Sequence, residues 1–377
     1  MSEHSAEIVV IGGGIVGASV ASALSETHRV ALLEAESQPG YHATGRSAAL
    51  FTETYGPAHI RALTRASRRF FDEPPEGFAQ GRLLHSRGTL FVGSEPQRNE
   101  MAELHRKLAA EGGRSRLLSS DEACSWVPVL RPEAAATALL DPDAFDIEVD
   151  ALLQGFLKKI RHHGSLWSTG TKVRRLNFDR GHWTAETESG DRWRAPTVIN
   201  AAGAWADTVA ELAGVRPIGI EPRRRSAFTF APPEGMSVQN WPAVVALDES
   251  WYFKPDAGLL LGSPANADPV APHDVVAEEL DIAIGIHHIE QATRLQIRRP
   301  KHTWAGLRSF VADGEPVCGF ASDAPGFFWA AAVGGYGIQT SPAFGRLCAA
   351  MVRGEPVPDD IAAQGLLVPA VSAARLA

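Results

Sequence analysis

Residues Glu7–Glu26, EIVVIGGGIVGASVASALSE, decide the fold. A short apolar run ends in a glycine triplet, and the residues after it take helical spacing, which spells strand, tight turn, helix. A second apolar run, Val30–Leu33, ends at Glu34 and completes a βαβ opening. Gly12, Gly14 and Gly17 hold the spacing GxGxxG. Alone, that spacing is met in ordinary glycine turns. Between a strand and a helix each glycine serves the cofactor differently, with a tight turn at Gly12, close backbone approach to a pyrophosphate at Gly14 and close helix packing at Gly17. Ile15 and Val16 open the helix, where free amide N–H groups favour an anion. Glu34, followed by Ala35, lies 20 residues beyond Gly14. A carboxylate there accepts hydrogen bonds from both ribose hydroxyls and repels a 2′-phosphate.

The rest of the βαβ pattern is delayed. After Gly40–His59, rich in glycine, serine and threonine and expected to be one long loop, come helical patterns at His59–Phe71 and Gln97–Ala110, with a strand at Thr89–Val92 between them. Ser119 and Glu122 fit a capping box. An amphipathic helix over Asp150–His163 ends at Gly164, and strands at Lys172–Phe178 and His182–Glu188 flank a DRG turn. Apolar βαβ pieces return only at Thr197–Asn200, before AAGAWAD, and near the end, where two strands precede a helix over Ile338–Val352. Between them lie strand-rich sequence over Ile218–Leu261 and a helix over Glu278–Leu295. This order predicts an α/β (α+β, two-domain) protein. Its Rossmann-like nucleotide domain is built from residues 1–50, 149–217 and 302–377, and an antiparallel-sheet substrate domain from 51–148 and 218–301. An NAD domain is usually contiguous over about 150 residues, so the interruption favours FAD.

Composition narrows the function. A net charge of −8 over 377 residues excludes a general nucleic-acid binder, which needs a cationic surface to release counterions. The start, MSEHSAE, lacks the basic and apolar regions of a secretory signal, and no apolar run approaches the ~20 residues that span a bilayer. Cys124, Cys318 and Cys348 are far apart and without metal-ligand spacing. A reduced cytoplasmic protein is expected, with no metal site and no transmembrane segment; peripheral contact with the inner membrane for electron transfer is the alternative.

The strings GYHATGRSAA (from Gly40), NAAGAWAD (from Asn200), RRRSAF (from Arg223), LDESWYFKPDAGLLLGSPANADPV (from Leu247), HTWAGLRSFVADGEPV (from His302) and GGYGIQTS (from Gly334) carry a resemblance. With them the chain resembles the bacterial FAD-dependent D-arginine dehydrogenases and, more broadly, the superfamily of D-amino-acid oxidase, glycine oxidase and sarcosine oxidase. The resemblance implies FAD held by Gly12, Gly14, Ile15, Val16, Gly17, Glu34 and Ala35, and by the loop residues His42, Thr44, Gly45, Arg46, Ser47 and Ala48. It adds Val173 through its backbone, Ala202, Gly203 and Trp205, with Arg308 and Gly335, Tyr336, Gly337, Ile338, Gln339 and Thr340 near the isoalloxazine. It implies a substrate carboxylate clamped by Arg225, Arg308 and Tyr252, a lid tyrosine at Tyr55, and amine contacts from Gly335 and Gln339. Cys318 lies off the position that carries covalent flavin in sarcosine oxidases, so noncovalent FAD is expected.

Two positions depart from the D-arginine enzymes: Thr89 stands where they carry a guanidinium-binding glutamate, and Leu50 where they carry a histidine. A cavity without that acid does not stabilise a distal cation. Neutral or apolar D-amino acids are therefore expected, with Glu53 in the lid as an alternative acid. The expected reaction is oxidative deamination to a 2-oxo acid and ammonia, with a quinone or artificial dye as electron acceptor and a monomeric or dimeric protein. Within Glu221–Phe230, strand alternation places Arg223, Arg225, Ala227 and Thr229 on one face and Arg224, Ser226, Phe228 and Phe230 on the other. Arg223 and Arg224 are expected to be a solvated charge run.

Overall fold

The structure, a computed structural model, describes residues 2–376. The strand Ile8–Ile11 is buried throughout, leads into the helix Ile15–Leu24, and pairs in parallel with Val30–Leu33. Four apolar residues run in succession because both faces of the strand are covered. Ile8 and Val10 point into the helix-side core, Val9 and Ile11 into the core on the opposite face. The six-stranded sheet runs Leu166–Ser168, Val30–Leu33, Ile8–Ile11, Thr197–Asn200, Phe327–Ala331, Val317–Phe320. Its last strand is antiparallel to its neighbour and the others are parallel, so distant segments of chain meet side by side.

A second, nine-stranded sheet is antiparallel except where Ala243–Ala246 runs alongside Thr89–Gly93. One strand in from its edge, Glu221–Phe230 pairs with the edge strand His302–Phe310 on one side and with Leu259–Ser263 and Asp268–Pro269 on the other. Phe228, Phe230, Phe253 and Leu260 form a core beneath the helix Glu279–Ala292. The opposite face carries the arginines: Arg308 stands across from Arg223, and the register that puts Phe228 opposite Gly262 and Tyr252 opposite Ser263 sets Tyr252 on the face of Arg225 and Ala227. No helix among the described residues is long and apolar enough to cross a membrane.

Three sequence expectations change. The loop Gly40–His59 contains a strand, Leu50–Thr52, paired with Ala144–Ile147; three residues are too few to register as periodicity. The end of the chain holds three strands, His302–Phe310, Val317–Phe320 and Phe327–Ala331, because glycines and turns break the apolar pattern between the last two. Arg224 is not solvated: it is 8 % exposed, donates to Asp281 (2.9 Å) and Glu278, and lies 3.5 Å from Asp268. The even face of its strand is covered by the helix Glu279–Ala292, so the guanidinium must find its acids inside. Arg223 pairs with Glu221 at the surface and lies over the Phe310 ring.

Candidate active site

The glycine turn closes the crevice between two parallel strands at their carboxyl ends. Gly12 has φ +108°, and a Cβ there would stand 2.4 Å from the Ala201 carbonyl oxygen; one on Gly17 would stand 1.8 Å from the Gly12 oxygen. Only glycine fits either position. The Ile15 N–H donates to Thr44 Oγ1 (3.0 Å), fastening the loop over the helix start. Glu34 Oε2 accepts from the Gly13 N–H (2.7 Å) and Oε1 from the Glu36 N–H (2.8 Å). Burial raises the Glu34 carboxyl above its ordinary range, although both N–H bonds pull it down. Each oxygen keeps a lone pair for a ribose hydroxyl.

From this turn one continuous cavity of about 580 Å³ extends to the face of the second sheet. Gly12, Gly14, Ile15, Val16, Glu34, Ala35, His42, Thr44, Arg46, Ser47, Ala48, Val173, Ala202, Gly203 and Trp205 line it, together with Arg225, Tyr252, Arg308, Gly335, Gly337 and Ile338. Residues that sequence reasoning did not single out also line it: Tyr41 and Gly306 lie inside recognised strings, Lys172 beside Val173, and Ala332 two residues before a recognised string. Glycines with no room for a Cβ, an acid at the end of the second strand and the start of the helix Gly337–Arg353 give an FAD molecule a backbone cradle, a ribose acceptor and a positive helix end. The residues present fit the cofactor. Arg46 lines the cavity, but its guanidinium donates to the carbonyls of Val275 (2.8 Å) and Ala305 (3.1 Å) and pairs with Asp274, tying the loop to Asp274–Val275 and to the strand His302–Phe310.

The far end is a cationic clamp. Arg225 Nε donates to the Asn266 carbonyl (2.6 Å), and Asn266 is itself held by the Ser226 N–H and by Asp281. Burial, then the nearby charge of Arg308, lowers the Arg225 pKa. Arg308 lies flat against Gly335, where a Cβ would be 2.6 Å from Nε at φ +86°. Among the described residues neither guanidinium has a carboxylate partner. Two guanidiniums without a carboxylate partner, lining one cavity with Tyr252, have the charge and fork geometry to hold a carboxylate.

Other expected residues lie around the cavity, not in its lining. The Tyr55 hydroxyl donates to Glu249 Oε2 at 3.5 Å, and its ring meets Tyr336 edge to face with centroids 5.3 Å apart. Burial raises the Tyr336 hydroxyl pKa. Leu50 stands opposite Asp146, whose carboxylate holds Lys254 and Arg87, each at 2.7 Å. Thr89 is buried opposite Asp141, an acid without a signature in the sequence, because only the strand register brings the two together. Burial raises the Asp141 carboxyl, and Oδ2 accepts from the Thr54 hydroxyl (3.3 Å). Glu53 faces Arg68 (3.6 Å). Gln339 is buried outside the cavity lining: its Oε1 accepts from the Thr52 N–H (3.2 Å) and its Nε2 donates to Thr64 (3.0 Å), so its amide ties the strand Leu50–Thr52 to the helix Ala58–Asp72 and keeps one lone pair and one N–H. Gly45 and Thr340 are also outside the lining, the first in a turn onto the Gly40 oxygen and the second bonded to the Tyr336 carbonyl.

Comparison with known proteins agrees with this geometry. The model of the DAO family, FAD dependent oxidoreductase, matches residues 7–351. Mouse mitochondrial sarcosine dehydrogenase is 28 % identical over 94 % of this chain, which spans only 40 % of that protein. Glycine oxidase from Geobacillus kaustophilus superposes with a TM-score of 0.81 at 23 % identity, covering 94 % of this chain and 96 % of that one. FAD-bound L-α-glycerophosphate oxidase from Mycoplasma pneumoniae gives 0.83 at 18 %, covering 93 % and 95 %. With its glycine cradle, ribose acid and family match over most of its length, the chain belongs to the DAO family of FAD-dependent oxidoreductases.

Proposed function

We propose that the chain is a D-amino-acid dehydrogenase for substrates with neutral or apolar side chains. The observation that carries this reading is the pair Arg225 and Arg308, two cations facing one cavity with no carboxylate of the described residues between them. An amino-acid carboxylate supplies the missing anion, and the planar forks hold it in one orientation. The Tyr252 hydroxyl, on the same sheet face, donates to that carboxylate. With two cations and a hydroxyl fixing one end, a single face of Cα is turned to the cavity floor at Gly335–Ile338. FAD, which Gly12, Gly14, Glu34 and the start of the helix Gly337–Arg353 would hold noncovalently, would supply a two-electron acceptor for the Cα hydride. Among the described residues no histidine stands at the clamp, and water or a peptide carbonyl takes the ammonium proton before Cα–H cleavage. The imino acid released adds water and loses ammonia to give the 2-oxo acid. The loop carrying Tyr55, whose hydroxyl reaches Glu249, serves as the lid in this reading. Thr89 and Leu50 offer no charge to a distal guanidinium, and Asp141, opposite Thr89, is the acid that D-arginine would have to reach.

Anaerobic bleaching of the bound flavin against D- and L-amino acids, sarcosine and proline tests the reading. Bleaching by neutral D-amino acids, with L-enantiomers silent, is the expected result. Bleaching only by sarcosine or proline refutes it in favour of a secondary-amine oxidoreductase. Peroxide release under air distinguishes an oxidase from the dehydrogenase proposed, for which a quinone or dye is the acceptor.

A further inference from the structure

The turn Gly334–Tyr336 faces two ways. On one side it is stitched to the strand that carries Arg308. The Gly334 N–H donates to the Ser309 carbonyl (3.0 Å), a Cβ on Gly334 would stand 2.9 Å from the Phe310 ring, and one on Gly335 would stand 2.6 Å from Arg308 Nε. On the other side the turn meets the loop that carries Tyr55. Gly335 and Gly337 line the cavity, while Tyr336 between them is outside the lining and stands half-buried against that loop.

Two glycines make room for the Tyr336 ring on opposite edges. A Cβ on Gly56 would lie 3.2 Å from Cε1 and 3.3 Å from Cζ, and one on Gly334 would lie 3.2 Å from Cε2. The Tyr55 ring meets the same ring edge to face. Gly56 takes φ +101°, and its carbonyl accepts from Arg61 Nη1 (2.6 Å), whose Nε faces Glu111 (3.1 Å), so the loop is pinned where it touches Tyr336. Electrostatics link the same groups: burial and then Tyr55 push the Tyr336 hydroxyl pKa up, and Arg308 pulls it down. With one glycine from the loop and one from the clamp turn at its edges, the ring cannot shift without moving both.

We propose that Tyr336 is a positioning residue that couples the lid to the carboxylate clamp, its ring seating Tyr55 and Gly56 while the same turn backs Arg308. The proposal rests on the lid and clamp reading above and adds the residue that joins them. Because the ring lies outside the cavity lining, its loss loosens substrate binding and closure and leaves the hydride step nearly alone. Two measurements on the FAD-loaded chain test this. Iodide quenching of flavin fluorescence, read without substrate, reports closure. Stopped-flow flavin reduction by D-leucine under argon reports Kd and the limiting rate separately. An aromatic pair shifts an equilibrium about two- to tenfold, so Tyr336→Ala should raise the quenching constant and Kd by about that factor, with the limiting rate within about twofold. Tyr336→Phe keeps the ring and should restore both values. Tyr55→Ala should act like Tyr336→Ala, and the double variant should be no worse than either, because the two share one contact. Quenching at the wild-type level in Tyr336→Ala, multiplying effects of the two alanines, or Tyr336→Phe as open as Tyr336→Ala overturns the proposal. If Tyr336→Ala loses FAD, Gly56→Ala decides from the lid side, where its Cβ presses on the same ring: raised quenching supports the coupling and wild-type quenching overturns it. If D-leucine does not reduce the flavin, the substrate reading fails on its own and the quenching series still decides the coupling.

Discussion

Replacing Gly335 with alanine should disable the clamp without touching either arginine. The added Cβ would lie 2.6 Å from Arg308 Nε, 2.8 Å from Cδ and 2.9 Å from Cγ, so three atoms of one side chain must move together. The guanidinium cannot shift by one bond rotation when its stem is displaced as well, and its fork leaves the carboxylate plane. One charge-assisted hydrogen bond to a carboxylate contributes roughly 1.5–3 kcal/mol, which is about 10–150-fold in kcat/KM. Alanine at φ +86° adds about 1–2 kcal/mol of backbone strain, which acts on stability. The two effects separate experimentally. Gly354 also has a positive φ, +69°, with nothing within 4 Å of a Cβ, so Gly354→Ala carries the strain alone. Stopped-flow reduction of the bound flavin under argon gives the substrate Kd and the limiting rate for both variants. Gly335→Ala should raise Kd at least tenfold with flavin content unchanged, and Gly354→Ala should leave Kd alone. If both variants bind substrate like the wild type, Arg308 is not held by Gly335 and does not hold the carboxylate.

Arg308→Met removes the same contact directly and should raise KM strongly at normal FAD content, read by steady-state dye reduction. Gly17→Ala places a Cβ 1.8 Å from the Gly12 oxygen and should yield protein that purifies with little flavin, seen in the ratio of visible to ultraviolet absorbance. Asp281→Asn removes one acid from the buried Arg224, which keeps Glu278 and Asp268, and chemical denaturation should report a loss of about 1–3 kcal/mol, with substrate Kd changing far less than in Arg308→Met. Burial pushes the Cys348 thiol well up and Cys318 is fully buried, so a thiol reagent should label only Cys124 in the native protein and all three cysteines in guanidinium.

The cofactor half of the site is legible in the sequence because it is local. Gly12, Gly14 and Gly17 lie within six residues, and the strand, turn and helix that give them meaning adjoin them. The substrate half is assembled across strands, and sequence distance hides it. Asp141 lies beside Thr89 only through the pairing of Thr89–Gly93 with Thr137–Asp141, so an acid within reach of the expected acid position goes unseen. Gln339 shows the converse. A polar side chain in a recognised string invites a ligand, yet its two partners, Thr52 and Thr64, come from a three-residue strand and a helix interior that no periodicity connects to it.

The three consecutive arginines separate the two kinds of information. Alternation along Glu221–Phe230 assigns Arg224 to one face and Arg223 with Arg225 to the other, which is as far as a strand pattern can go. What each arginine does is set by what covers its face. The helix Glu279–Ala292 brings Glu278 and Asp281 over Arg224 and makes it a buried structural cation. Its neighbour one residue along meets a cavity with no acid beside it and keeps its charge for a ligand. Adjacent, chemically identical residues thus divide into scaffold and site by the supply of carboxylates on each face, and a carboxylate introduced on the cavity side would convert Arg225 into a second Arg224. Ala227→Asp, one alternation step along the same face, should therefore abolish substrate binding while leaving FAD bound; retained substrate affinity in that variant would show that the free charge of Arg225 is not what the cavity uses.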